Sequence, residues 1–209
     1  SVKAGGSITL HADRVESTLT VNPNGGTWNG SSSETSFDDK NFGLSLPIPV
    51  PTRTGYTFNG WNRSGTNGSL SSTTAAATYV FGPKKSATDT ISADWTANKY
   101  SVIFNGNGAT GGSMSNQTFT YDTAQNLTAN AFEKKYIVTY NTKGGNSIDP
   151  STVNYNFAGW KLNNAGTTYG DKASVTNLTT TTAYSPNGRN VDNLSAFFLY
   201  HAVKNGVGS

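Results

Sequence analysis

Cysteine is absent from the 209 residues. Its absence excludes disulfides, thiolate metal sites, a cysteine nucleophile and thioester cross-links within the chain. Charge is scarce too: Asp, Glu, Lys and Arg make up 13%, about half the roughly 25% of an ordinary soluble domain. The 15 Lys and Arg barely exceed the 12 Asp and Glu, and outside Lys84-Lys85 and Lys134-Lys135 they are scattered. Nucleic acid is therefore not an expected partner, because binding it needs a clustered basic face with stacking rings. No run approaches the about 20 apolar residues that span a bilayer, and "SVKAGGSITLHAD" at the start lacks a basic stretch and an apolar signal core. The chain reads as an internal fragment with no membrane insertion. Histidine is limited to His11 and His201, with no partner at metal-ligand spacing and no G-x-S-x-G nucleophile turn, so no metal, cofactor or triad is expected. Acids are isolated except for Asp38-Asp39, and no calcium loop of the D-x-[DN]-x-[DN]-G type occurs. A hydrolase using carboxylates from distant strands is the one enzymatic reading left open.

What fills the gap is Asn, Ser, Thr and Gly, with aromatics at 11%. Such a chain has a polar, weakly charged surface and enough large rings to anchor a core, so it is not a disordered sequence. Three segments share one grammar: "STLTVNPNGGTW" from Ser17, "YSVIFNGNGATGG" from Tyr100 and "YIVTYNTKGGNS" from Tyr136. Each alternates apolar with polar residues and ends in Asn and Gly, the pattern of a half-buried strand running into a tight hairpin turn. The second contains Gly106, Gly108 and Gly111 in the spacing G-x-G-x-x-G. A dinucleotide loop would need the last glycine to open a helix, but "SMSNQTFTY" follows with strand alternation, and Glu133 is a chance match to a ribose-binding acid. A hairpin turn with strand on both sides is expected there instead.

A second shared element is "RTGYTFNGWN" from Arg53 and "NYNFAGWK" from Asn154. Its spacing places Tyr56 and Phe58 on one strand face, and likewise Tyr155 and Phe157, ahead of a glycine that permits a bulge or close backbone approach before Trp61 and Trp160. These rings, with Trp95, are the expected structural core. Trp28, inside the loop "NGGTWNG", is the candidate exposed ring for a ligand. Short β-runs close the units: "SITLHAD", "TISADWT" and "LSAFFLYHA".

Opener, aromatic element and closing strand together resemble the Listeria-Bacteroides repeat, the family of the B-repeats of internalin-type bacterial surface proteins. The resemblance covers about nine-tenths of the chain and implies a mainly-β architecture of small α+β, β-grasp-like modules in tandem, with at most short helices. The expected organisation is a tail of a preceding repeat over 1–14, a first module over 15–97 and a second, expanded module over 98–209. The alternative for the last segment is a truncated module, 98–133, followed by another, 134–209. The implied function is a non-enzymatic spacer or adhesion module of an exported protein, extracellular at the bacterial cell surface or wall, monomeric, in contact with neighbouring repeats and with a host-surface protein or glycan. The alternative is a carbohydrate-binding module using Trp28. Surface modules can also carry a Lys-Asn isopeptide bond, but no motif marks one, and Lys99, Lys135 and Lys143 are more simply read as exposed.

Overall fold

The computed structural model describes residues 14–140, 143–145, 150–162 and 166–178, together with the backbone of 191–200. The run "SITLHAD", His11, His201 and all but the last residue of the expected 1–14 tail lie outside the described residues. The chain divides into two compact units, Ser1–Thr96 and Ala97–Ser209.

In the first unit the alternating opener becomes β1 (Glu16–Asn22), whose odd-numbered residues Ser17, Leu19 and Val21 are buried. The strands β2 (Thr35–Asn41), β3 (Ser45–Ile48), β4 (Tyr56–Ser64), β5 (Ser69–Leu70), β6 (Ala77–Val80) and β7 (Thr88–Ala97) follow. They form a four-stranded sheet in the order β2-β1-β7-β4 and a smaller one in the order β3-β6-β5. At the centre of the larger sheet, β1 pairs parallel with β7, from Thr18 opposite Thr88 to Asn22 opposite Ser92. Its other edge pairs antiparallel with β2. The core draws on both sheets, with Leu19, Val21 and Ile91 from one and Ile48, Ala77 and Tyr79 from the other.

The second unit contains β8 (Lys99–Asn105), β9 (Gln117–Thr120), β10 (Gln125–Asn126), β11 (Lys134–Val138), β12 (Ser151–Leu162), β13 (Thr168–Tyr169), β14 (Ser174–Val175) and β15 (Val191–Tyr200). Its main sheet runs β11-β12-β15-β8-β9, and β13 also pairs with β12. Stripped of β11, that order repeats the first unit: β9-β8-β15-β12 matches β2-β1-β7-β4. The central pair is again parallel, with Val191 opposite Ser101 and Ser195 opposite Asn105. Tyr100, Val102, Phe104, Phe119, Leu127, Trp160, Val175 and Leu178 form its core. The fold is all β, with no helix among the described residues. The β-grasp likeness remains an expectation.

The glycine run does have strand on both sides, since β8 precedes it and β9 returns antiparallel, Val102 opposite Gln117. It is not the tip of a tight hairpin, however. Residues 106–116 separate the two strands, and 23–34 separate β1 from β2. The turn is the first corner of a long excursion. After the corner the chain bridges a distant segment, Thr27 with Thr52 in one unit and Gly111 with Glu133 in the other.

Candidate functional site

Each opener ends in the same corner. In the first, the Asn24 amide donates to Asn22 Oδ1 at 2.7 Å and the Gly26 amide to the Pro23 carbonyl at 2.9 Å. In the second, the Asn107 amide donates to Asn105 Oδ1 at 2.8 Å and the Ala109 amide to the Gly106 carbonyl at 3.0 Å. The two central residues of each corner are left-handed: Asn24 and Gly25 at φ 47 and 81, Asn107 and Gly108 at 47 and 78. Asn and Gly are the residues that adopt this conformation at least cost. Lys143 and Gly144 in the third opener share it, at φ 44 and 93.

A cation lies over the corner in both units. Arg53 Nη1 donates to the Asn24 carbonyl at 3.2 Å, and the guanidinium sits 3.8 Å from the Tyr56 ring centroid. In the second unit Lys134 takes this place, its Nζ 5.7 Å from the Tyr155 centroid and 6.0 Å from that of Tyr136. Both residues directly follow the bridged residue, Thr52 or Glu133, so the bridge fixes where the cation falls.

The aromatic elements are built alike. Trp61 and Trp160 are buried, against half-buried Phe58 at 5.4 Å and Phe157 at 4.8 Å between ring centroids. Trp95 joins Phe58 at 5.5 Å and donates through Nε1 to the Pro23 carbonyl at 3.1 Å, tying the closing strand to the corner. Tyr56 and Tyr155 are half-buried beneath the cations. The glycines before the tryptophans have φ 150 and 135. A Cβ on Gly60 would stand 2.8 Å from the Thr73 carbonyl oxygen, and one on Gly159 would stand 2.6 Å from that of Tyr169. A register shift between Phe157 and Gly159 marks the bulge expected there. Neither Trp61 Nε1 nor Trp160 Nε1 has an acceptor among the described residues.

Trp28 is a correction. Its ring is 3% exposed, packs edge-on against Phe37 at 6.0 Å, and donates through Nε1 to the Pro49 carbonyl at 3.0 Å. Trp28 and Ser31 bridge each other and close the loop "NGGTWNG", while the ring lies against Phe37. The ring is not available to stack on a sugar.

Sequence reasoning missed Asp89, an acid 1% exposed at an inward position of β7. Arg63 Nη2 donates to its Oδ2 at 2.6 Å, the Tyr79 hydroxyl at 2.7 Å and the Gly68 amide at 2.8 Å, while the Asn67 amide donates to Oδ1 at 3.0 Å. Burial alone would raise the carboxyl pKa, yet the hydrogen bonds from Tyr79, Gly68, Asn67 and Arg63 hold it below the usual carboxylate value. Burial, followed by the hydrogen bond to Asp89 and its charge, pushes the Tyr79 phenol up. The signal was an acid in register with Leu19, where the alternation of β7 calls for an apolar residue.

Depressions lie on the described surface of the first unit. One of about 400 Å³ is lined by apolar side chains including Phe37, Leu46, Pro47 and Ile48. Another, of about 610 Å³, is lined by Lys84, Lys85 and Asp89 among others. No group of three or more His, Asp or Glu residues that could hold a metal occurs among the described residues.

The model of the Listeria-Bacteroides repeat domain matches residues 18–82 and 132–185. The chain belongs to this repeat family. It is accordingly a repeat region of a bacterial surface protein. No curated protein and no solved structure matches it. The first family match opens within β1, but the second opens at the third opener rather than at β8.

Proposed function

We propose that this chain is a non-enzymatic spacer, with an adhesive role, in an exported bacterial surface protein. The observation that carries the spacer role is the parallel pairing of first and last strands in both units, β1 with β7 and β8 with β15. Tension applied through the start of one strand and the end of the other acts along the strands, so the backbone hydrogen bonds between them must yield together. Antiparallel edges open one bond at a time. The polar, weakly charged coat keeps the surface insensitive to salt, since there is little charge to screen. The oxygens of Asp89 are engaged by Arg63, Tyr79 and the Gly68 and Asn67 amides, which gives that carboxylate a structural role. The partners are neighbouring repeats and a host-surface protein or glycan, outside the cell, with the chain monomeric. Burial of Trp28 gives the carbohydrate-binding alternative no support.

Single-molecule pulling tests the spacer role, and the lack of native cysteine lets handles be placed at will. Handles at Glu16 and Ala97 load the parallel pair in shear, whereas handles at Glu16 and Asn41, which are register partners in β1 and β2, peel strands apart. The first geometry is expected to resist the higher force. Equal or lower force in shear would remove the mechanical reading.

A further inference from the structure

The second unit contains two strands of one design. Lys135-Tyr136-x-Val138-x-Tyr140-Asn141 repeats Lys99-Tyr100-x-Val102-x-Phe104-Asn105. In the β8 copy, Tyr100, Val102 and Phe104 are 1%, 0% and 5% exposed; their counterparts Tyr136, Val138 and Tyr140 are 48%, 37% and 51% exposed. A strand of the first-strand pattern thus leaves its apolar residues half-exposed at the sheet edge, with Tyr136 packed edge-on against Tyr155. Exposed apolar surface contiguous along one strand face is a mark of an unfilled interaction.

We propose that Lys135–Tyr140 is an alternative first strand for the 97–209 unit, able to replace β8 in its place beside β15. Direction allows it. The strand β11 is antiparallel to β12, and β12 is antiparallel to β15, so β11 already runs the same way as β15 and therefore as β8. The exchange moves the strand from the outer edge of β12 to the far side of β15 without reversing it. Reach allows it too: the ten peptide steps from Gly145 to Tyr155 extend to about 33 Å. The corner residues are present, because Lys143 and Gly144 already hold the left-handed pair found at Asn107 and Gly108. The family pattern points the same way, since its second match begins at residue 132 and takes the third opener, not β8, as the start of the repeat. Two near-copies competing for one slot make a two-state element, which any change that weakens β8 biases toward the other copy.

Cysteine pairs test the exchange in the full chain. Ser101→Cys with Val191→Cys joins register partners of the described arrangement. Ile137 stands where Ser101 does in the repeated pattern, so Ile137→Cys with Val191→Cys becomes a register pair only after exchange. Adding Val102→Asp places a charge at a fully buried position of β8. The Ile137–Val191 cross-link within one chain is then expected to rise several-fold while the Ser101–Val191 cross-link falls. In hydrogen exchange, the same Val102→Asp chain without added cysteines should lose protection over 99–105 and retain it over 156–162, the part of β12 paired with β15. No Ile137–Val191 cross-link, a cross-link formed only between two chains, or joint loss of protection over 99–105 and 156–162 would overturn the proposal.

Discussion

The guanidinium of Arg53 lies 3.8 Å from the ring centroid of Tyr56 and, through Nη1, holds the Asn24 carbonyl of the opener corner. One side chain thus joins the end of β1 to the start of β4. Arg53→Ala should destabilise the first unit by about 1 kcal/mol, the value of a partly exposed cation–π contact. Lys134→Ala should cost the second unit less, because its ammonium stands 5.7 Å from the Tyr155 ring. Amide exchange resolved by segment reads each unit separately.

Trp61 and Trp160 are among the largest buried side chains of the two cores. Replacement by Ala should cost about 3–5 kcal/mol in the affected unit. Replacement by Phe should cost clearly less than by Ala, because the ring is largely kept and an indole N–H without an acceptor among the described residues is removed. Urea unfolding followed by segment-resolved exchange measures both. A Trp→Phe loss equal to that of Trp→Ala would mean that each N–H is satisfied after all.

The mainly-β character and many local elements were legible in the sequence because they rest on period-two alternation and on turn residues with one conformational use. The strand β1, the corner at Asn24-Gly25 and the bulge at Gly159 follow from those local signals. What was not legible depends on pairing between distant segments. Trp28 lies in a Gly/Asn-rich loop, and its burial rests on contacts with the distant Phe37 and Pro49. Asp89 was passed over because its donors come from two other stretches of chain, 63–68 and Tyr79. The third opener showed its pattern plainly, but alternation cannot tell whether a second sheet covers the face it creates.

Glycine substitutions separate backbone crowding from backbone strain. Gly43 has φ 82 with nothing within 4 Å of an added Cβ, so Gly43→Ala meets only the left-handed cost, about 1–2 kcal/mol. Gly60→Ala meets strain and the Thr73 carbonyl oxygen 2.8 Å away. It should be the more damaging of the two, lowering Tm further. Asn, which tolerates left-handed backbone, should ease the defect at position 43 and not at position 60.

Asp89 makes the stability of the first unit pH-dependent. Its folded pKa lies below the unfolded value of about 3.9, so the folded state binds the proton less readily than the unfolded chain. Its contribution is therefore complete above the unfolded value and is lost as pH falls through the folded one. Tyr79 acts at the other end: its pKa is raised, so its contribution is complete below about 10 and is lost as pH rises beyond that. Asp89→Asn removes the charge to which Arg63, Tyr79 and two amides donate; because Arg63 reaches solvent, it should cost about 1–3 kcal/mol at neutral pH, as weakening hydrogen bonds to a buried charged acceptor does. The difference in urea midpoint between wild type and Asp89→Asn should narrow as pH falls from 5 toward 2. A constant difference across that acid range would show that Asp89 acts by shape and hydrogen bonding alone, without its charge.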